Sequence, residues 1–250
     1  MLGKLEKRVS GTGALTKGLS FLMSFTWSHL NSATGFLNNN GASLVDPAPY
    51  YSIDSSDRPW DFAFSGLYGL PIGKGGALLT NAHGFVGQLV NDWQMEWIFS
   101  NDGGQPVGYP NNNNFNCGNY NILSPHKTWG SYLNNTQSSC FTSFTEYTAV
   151  TQKPYSTAIR APWAQQTAIG FEKHFAIRES TNLQFKAEAF NLTNTPIFGP
   201  PNTSSPNTAP VPVQSVSNPN QPGAFTGYGT VSSTQYNFPR QIQMSLKLTF

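Results

Sequence analysis

The chain has 250 residues, enough for one or two ordinary domains, and no run of about 18 apolar residues that a membrane helix needs. Only 10% of the residues are charged and 14% are aromatic, whereas a soluble globular domain carries about 25% charged residues. The net charge of +2 gives no electrostatic basis for binding nucleic acid, so we expect no nucleic-acid partner.

The first residues, Met1–Gly13, have neither an apolar core nor a cleavage site, so they do not form a signal peptide. An exported protein would then carry its signal upstream of Met1. We therefore expect the chain to be a fragment that lacks its signal peptide.

Alternation of apolar and polar residues is the dominant pattern and predicts strands. Each stretch is about ten residues or slightly more, the length of a tilted strand that crosses a bilayer. The predicted strands are a short one near Leu2–Val9, then Leu19–Ser28, Pro59–Leu70, Phe85–Phe99, Trp163–Phe175, Asn182–Asn191 and a terminal strand that ends at Phe250.

The terminal strand has the cleanest alternation. Its apolar row predicts a lipid-facing side, and the polar residues between predict a side that faces water. The apolar row is Ile242, Met244, Leu246, Leu248 and Phe250.

Short and long connections alternate between the predicted strands. Long stretches rich in Asn, Gly, Pro and Ser lie near 31–57, 101–162 and 192–236, with shorter turns between them. Outer-membrane barrels have this pattern, with short periplasmic turns and long extracellular loops. The sequence therefore predicts an all-β, antiparallel up-and-down meander of about seven strands over 1–250, with the C-terminus in the periplasm.

Four tryptophans fall near the long-loop ends of the predicted strands: Trp27, Trp60, Trp97 and Trp163. Indole favours the interface between lipid and water, so we predict an aromatic girdle there. The alternative is that they are core residues of a soluble β-sandwich.

The two cysteines, Cys117 and Cys140, lie in a polar region without the spacing or the histidine partners of a zinc site. We predict a loop disulfide formed in an oxidising compartment. Two unrelated free thiols are the alternative.

No pattern indicates catalysis, a cofactor or a metal. Gly11–Gly13 lacks the third glycine of a dinucleotide loop, and Gly73–Gly75 lacks the Ser or Thr of a phosphate loop. Asp54 and Asp57 with nearby serines could hold calcium, but a solvated loop is the favoured interpretation. The sequence thus predicts a protein that is not an enzyme.

Four stretches together resemble TonB-dependent outer-membrane receptors of the Oar-like group, which carry a carboxypeptidase-regulatory-like domain. Ser56–Trp60 and Leu70–Gly75 resemble a strand and a periplasmic turn of that family, and Leu183–Pro196 is similar to its penultimate strand. Pro239–Phe250 resembles its closing strand and the signal that the barrel-assembly machinery reads.

The resemblance implies a 22-stranded barrel with an N-terminal plug, energised through TonB. This chain would supply wall and outer loops in contact with outer-membrane lipid, while the plug and the N-terminal barrel strands are missing. Alone, it is expected to form an open, curved sheet and not to transport. The alternative is a secreted or surface β-rich adhesin or carbohydrate-binding module, in which the apolar rows would be buried between two sheets.

Overall fold

The computed structural model describes residues 1–8, 18–34, 50–108, 113–117, 123–134, 139–143, 155–178, 181–204 and 210–250. Antiparallel strands dominate these residues, and none of the helices in them is long and apolar enough to cross a membrane. In chain order the elements are β1 (Leu2–Lys7), β2 (Leu19–Trp27), β3 (Asn31–Thr34), β4 (Tyr50–Ile53), β5 (Trp60–Gly69), α1 (Gly84–Val90), β6 (Trp93–Asp102), β7 (Pro106–Gly108), β8 (Asn113–Phe115), β9 (Leu123–Thr128), β10 (Ser131–Leu133), β11 (Phe141–Ser143), β12 (Tyr155–Arg160), β13 (Ala164–Arg178), β14 (Thr181–Phe190), β15 (Val211–Pro212), β16 (Phe225–Thr226) and β17 (Gln241–Thr249).

Seven strands form one large sheet, which we call the wall sheet, in the order β1-β2-β5-β6-β13-β14-β17. This is their order along the chain, and each strand is antiparallel to its neighbours. The predicted up-and-down meander is therefore confirmed. Among the described ladders none joins β1 to β17, so the wall sheet is open, as expected.

The register of the wall sheet sorts its side chains onto two faces, because directly opposed residues point the same way. One face, the apolar face, follows a row such as Phe21, Gly66, Trp97, Ile169, Ala189 and Ile242 across six strands. The other, the polar face, follows a row such as Ser20, Leu67, Glu96, Gly170, Glu188 and Gln243.

The wall sheet curves toward its polar face. A groove of about 930 Å³ is lined there by residues of β1, β2, β5, β6, β13 and β14, among them Glu6, Ser20, Ser65, Glu96 and Lys186. The apolar face is consequently the convex one.

The long connections all leave the same end of the wall sheet, which we call the loop end. There Trp27 pairs with Trp60, and Asp102 pairs with Ala164. At the opposite turn end, Gly69 pairs with Gln94 and Arg178 with Thr181. The long connections contain short two-stranded ladders, β3–β4, β7–β12, β8–β11, β9–β10 and β15–β16.

One predicted strand was wrong in its first half. The stretch Phe85–Phe99 begins as the helix α1, and strand β6 starts only at Trp93. Phe85 and Leu89 are four residues apart, a spacing that satisfies both the strand period and the helical period. Asp92, with φ of 56°, separates the helix from the strand.

Candidate functional site: a charged wall face and an interlocked loop cluster

A charged cluster occupies the polar face of the wall sheet. The ammonium of Lys186 on β14 lies 2.6 Å from a carboxylate oxygen of Glu96 and 2.9 Å from one of Glu188. Glu96 belongs to β6, and β13 lies between the two strands. The Glu96 side chain therefore reaches across a whole strand to its partner.

Gly170 on β13 makes this reach possible. It is paired with Glu96 on one side and Glu188 on the other. A Cβ at position 170 would lie 2.5 Å from Oε1 and 2.7 Å from Cγ of Glu96. Because glycine has no side chain, the carboxylate can lie over the backbone of β13 and meet Lys186.

The cluster carries two carboxylates and one ammonium, so it is an acidic, hydrogen-bonding surface of the groove. In the described residues, no group of three or more His, Cys, Asp or Glu side chains is arranged to hold a metal ion. The carboxylates of Glu96 and Glu188 and the ammonium of Lys186 can offer charge and hydrogen bonds to a polar molecule that contacts the wall.

A buried ion pair joins the first and second long connections. Asp57 is fully buried, and its Oδ2 lies 2.6 Å from Nη2 of Arg160, which follows it by more than a hundred residues. The backbone N–H of Leu30 donates to Oδ1 of Asp57 at 2.5 Å. Burial of a carboxylate is costly unless it is paired and hydrogen-bonded, and both conditions hold.

This pair corrects the interpretation of Asp54 and Asp57 as a solvated loop. The interpretation is wrong for Asp57, whose buried carboxylate joins one loop to another. Asp54 is different: its Oδ1 accepts from the hydroxyl and from the backbone N–H of Ser56, and these bonds hold the pKa of its carboxyl below the usual value. This local turn remains at the surface.

A second tie joins the same loops at the loop end of the wall sheet. Nη1 of Arg58 lies 3.1 Å from Oδ1 of Asp102 and 3.3 Å from the carbonyl oxygen of Gly103. Nη1 of Arg160, at the other end of the second connection, donates to the carbonyl oxygen of Gly104 at 3.1 Å, while its Nη2 holds Asp57 of the first connection. Two arginines thus hold the start of the second connection against the first.

The second and third connections share a small hydrophobic core, the loop cluster: Val107, Leu133, Cys140, Phe141, Ile159 and Tyr228. The rings of Phe141 and Tyr228 lie 5.8 Å apart between centroids. The backbone N–H groups of Tyr132 and Leu133 both donate to the carbonyl oxygen of Gly229. Burial raises the pKa of the Tyr132 phenol, whose hydroxyl donates to the carbonyl oxygen of Arg160. The three connections therefore form one interlocked body.

The two cysteines are bonded to each other in the structure. Cys117 and Cys140 have Cα atoms 5.4 Å apart, and Cys140 is buried in the loop cluster. The bond ties Cys117, in the second connection, to the loop cluster, which is the arrangement that the loop-disulfide prediction describes.

Three of the four tryptophans of the predicted girdle lie at the loop end. Trp27 and Trp60 are directly opposed there, and Trp163 precedes β13 with 53% of its surface exposed. Trp97 departs from the prediction, since it lies opposite Gly66 in the middle of the wall sheet. A Cβ on Gly66 would overlap the Trp97 ring, so the lack of a side chain at Gly66 leaves room for the indole to lie over this strand.

The terminal strand has the predicted apolar row. Ile242, Met244, Leu246 and Leu248 lie opposite residues of β14 on the apolar face and are 53–71% exposed. Phe250 lies just beyond β17 and is 92% exposed. This row has no second sheet packed against it among the described residues.

The comparisons with known proteins agree with this architecture. The model of the family described as "Outer membrane beta barrel domain" matches residues 7–243, which is nearly the whole chain. No curated protein and no solved structure matches this chain. On the extent of that match, the chain belongs to the outer membrane beta barrel domain family.

Proposed function

We propose that this chain forms wall and outer loops of a TonB-dependent outer-membrane transporter, with the loop end outside the cell and the C-terminus in the periplasm. Membership of an outer-membrane barrel family supports the wall role. The alternation of short turns and long loops supports the orientation, because bacterial barrels keep their long loops outside. The resemblance of Leu183–Pro196 and Pro239–Phe250 to strands of TonB-dependent receptors supports the transporter class.

The observation that carries the proposal is the interlocked loop body at the loop end. Asp57 with Arg160 joins the first two connections, and Phe141 with Tyr228 joins the second to the third. A rigid, multi-loop surface at one mouth of a barrel is suited to capture a ligand, because preformed surfaces lose less conformational entropy on binding.

In this proposal the chain supplies surfaces and no reacting group. A captured molecule would pass from the loops to the polar face, where Glu96, Lys186 and Glu188 offer charge and hydrogen bonds. The remaining wall strands would pair with the open edges of β1 and β17, since unpaired backbone groups in lipid cost several kcal/mol each. The plug and the contact with TonB belong to the rest of the transporter.

The transporter class is tested by binding to TonB. The full-length protein, purified in detergent, should retain the periplasmic domain of TonB from the same bacterium, and deletion of the residues upstream of this chain should abolish that retention. A full-length protein that does not bind this domain would contradict the TonB assignment and leave the barrel family untouched.

The orientation is tested by labelling introduced cysteines with a membrane-impermeant maleimide. Asn220 is exposed in the third long connection, and Lys74 is exposed in the β5–β6 turn. Asn220→Cys should label in intact cells, whereas Lys74→Cys should label only after the outer membrane is permeabilised. The reverse pattern would invert the proposed topology.

The adhesin or carbohydrate-binding alternative predicts that the apolar rows are buried between two sheets. Leu246 and Leu248 are instead 67% and 53% exposed on a convex sheet face. We therefore favour the wall over a sandwich module.

A further inference from the structure

The helix α1, in the β5–β6 turn at the turn end, presents apolar side chains outward. Phe85 is 75% exposed, Val86 is 56% exposed and Leu89 is 46% exposed. The preceding residues Leu78 and Leu79 are also exposed, at 60% and 61%. Five exposed apolar side chains in one short connection indicate that something covers this part of the protein.

The large apolar side chains of α1 point away from the protein, whereas in a surface helix of a soluble protein they point toward the core. At about 100° per residue, Phe85, Val86 and Leu89 share one arc. Gly87 faces the protein and is buried, and a Cβ there would lie 2.8 Å from the carbonyl oxygen of Ala82. The small residue therefore packs inward and the large apolar ones point away.

The turn is fixed on the apolar side of the wall sheet. Trp93 and Lys173 are directly opposed on the apolar face. The indole N–H of Trp93 donates to the carbonyl oxygen of Leu89 at 2.8 Å, and the ammonium of Lys173 donates to the carbonyl oxygen of Asn91. The C-terminal end of α1 is thus tied to side chains of the apolar face.

Lys173 is the side chain of the apolar face that holds the turn on this side. On the apolar face of β13 it follows Ile169 and Phe171 and precedes Phe175. Only 1% of its surface is exposed. Its ammonium donates to the carbonyl oxygens of Asn91 and His174 and lies 4.7 Å from the centroid of the Phe175 ring. A charge on a lipid-facing row requires such partners, and the turn provides one of them.

We infer that α1 is an interfacial helix whose apolar arc inserts into the lipid leaflet at the turn end of the wall. The occupant is membrane lipid, because Leu89 at the end of the exposed arc is hydrogen-bonded through its carbonyl oxygen to Trp93 of the apolar face. In an outer-membrane barrel the apolar face is the one that meets lipid. Helices with one apolar arc bind at the boundary of headgroups and acyl chains. The inference does not depend on the TonB assignment or on which side of the membrane the turn end faces.

The test uses single cysteines labelled with an environment-sensitive fluorophore in the full-length protein, reconstituted into phosphatidylcholine vesicles that contain spin-labelled lipid. Cys117 and Cys140 are bonded and do not compete for label. The fluorescence of the label at Phe85→Cys should be quenched by lipid that is spin-labelled near the headgroup. This quenching should be about as strong as that of Leu246→Cys by lipid that is spin-labelled deeper in the acyl chain. Ser100→Cys, on the polar face, should be quenched by neither.

Gln88→Cys is the matched control on the helix itself, since Gln88 is exposed but lies outside the apolar arc. Its quenching should be weaker than that of Phe85→Cys. In a Lys173→Ala background, quenching at Phe85 should fall while quenching at Leu246 stays constant, because the tie of the turn is lost. Quenching at Phe85 no greater than at Ser100 would overturn the inference and point to a protein partner for this patch.

Discussion

Two glycines of the wall sheet give neighbouring strands the space for a larger side chain. Gly66 lies opposite Trp97 on the apolar face, and Gly170 lies opposite Glu96 on the polar face. In both pairs the large side chain lies over the glycine backbone. Glycine weakens a strand through its entropy and its lack of packing surface, so its presence here reflects a close approach from the neighbouring strand.

Gly66→Ala should therefore be destabilising, whereas the same change at Gly3 on the same face should not. A Cβ on Gly66 would overlap the Trp97 ring and lie 2.6 Å from the carbonyl oxygen of Ser20, while one on Gly3 meets its nearest atom at 3.9 Å. We expect Gly66→Ala to lower the free energy of unfolding by about 1–3 kcal/mol. Urea unfolding of the full-length protein in lipid vesicles measures the difference, and equal effects of the two substitutions would contradict the packing described.

Lys186→Met should weaken the charged cluster by removing the ammonium shared by two carboxylates. Because these side chains are only half-buried, the loss of stability is expected to be about 1 kcal/mol and to shrink as salt is added. Lys247→Met, an exposed lysine of the same face, is the control and should have a smaller effect. Adding Glu96→Gln to Lys186→Met should recover part of the loss, since it removes the repulsion between Glu96 and Glu188. A loss that is independent of salt and not recovered would show that the cluster does not act through charge.

At the scale of elements, alternation identified the wall strands because each strand crosses an environment that is apolar on one side and polar on the other. It failed at α1, where Phe85, Leu89 and Trp93 repeat every four residues and satisfy both periods. Lys173, which interrupts the apolar row of β13, was the available signal that something covers this part of the sheet.

The terminal strand β17 provides the sharpest test of the two faces. Leu246 lies opposite Phe185 on the apolar face, and Gln243 lies opposite Glu188 on the polar face. Leu246→Arg should cost about 2–4 kcal/mol if it lies near the bilayer midplane. Gln243→Arg should cost much less, because the new guanidinium meets a carboxylate and water. Folding equilibria of both variants in lipid vesicles measure the contrast, and similar losses would mean that the faces are assigned the wrong way round.

At the scale of the whole molecule, the positions of the long connections were predictable from composition and their internal structure was not. Asn, Gly, Pro and Ser mark a loop but do not show that Asp57 will meet Arg160, or that Tyr228 will enter the core formed by Phe141 and Leu133. Those contacts join residues that are distant in the chain. No local period encodes them, because they depend on the wall sheet bringing all three connections to one end.

Loss of the Asp57–Arg160 pair should loosen the loop body while the wall sheet stays intact. Asp57→Ala leaves the Arg160 guanidinium, 23% exposed, without its buried carboxylate, and breaking a buried pair in this way costs about 3–5 kcal/mol. Hydrogen exchange of the full-length protein should accelerate in β7, β10 and β12, the strands attached to this pair and to the loop cluster, and stay unchanged in β13 and β14. Asp54→Ala, three residues earlier, removes only a surface turn and should change exchange near Ser56 alone. If Asp57→Ala also accelerated exchange in the wall strands, the loops and the wall would unfold as one unit, and the loop body would not be a separate folding unit held together by this pair.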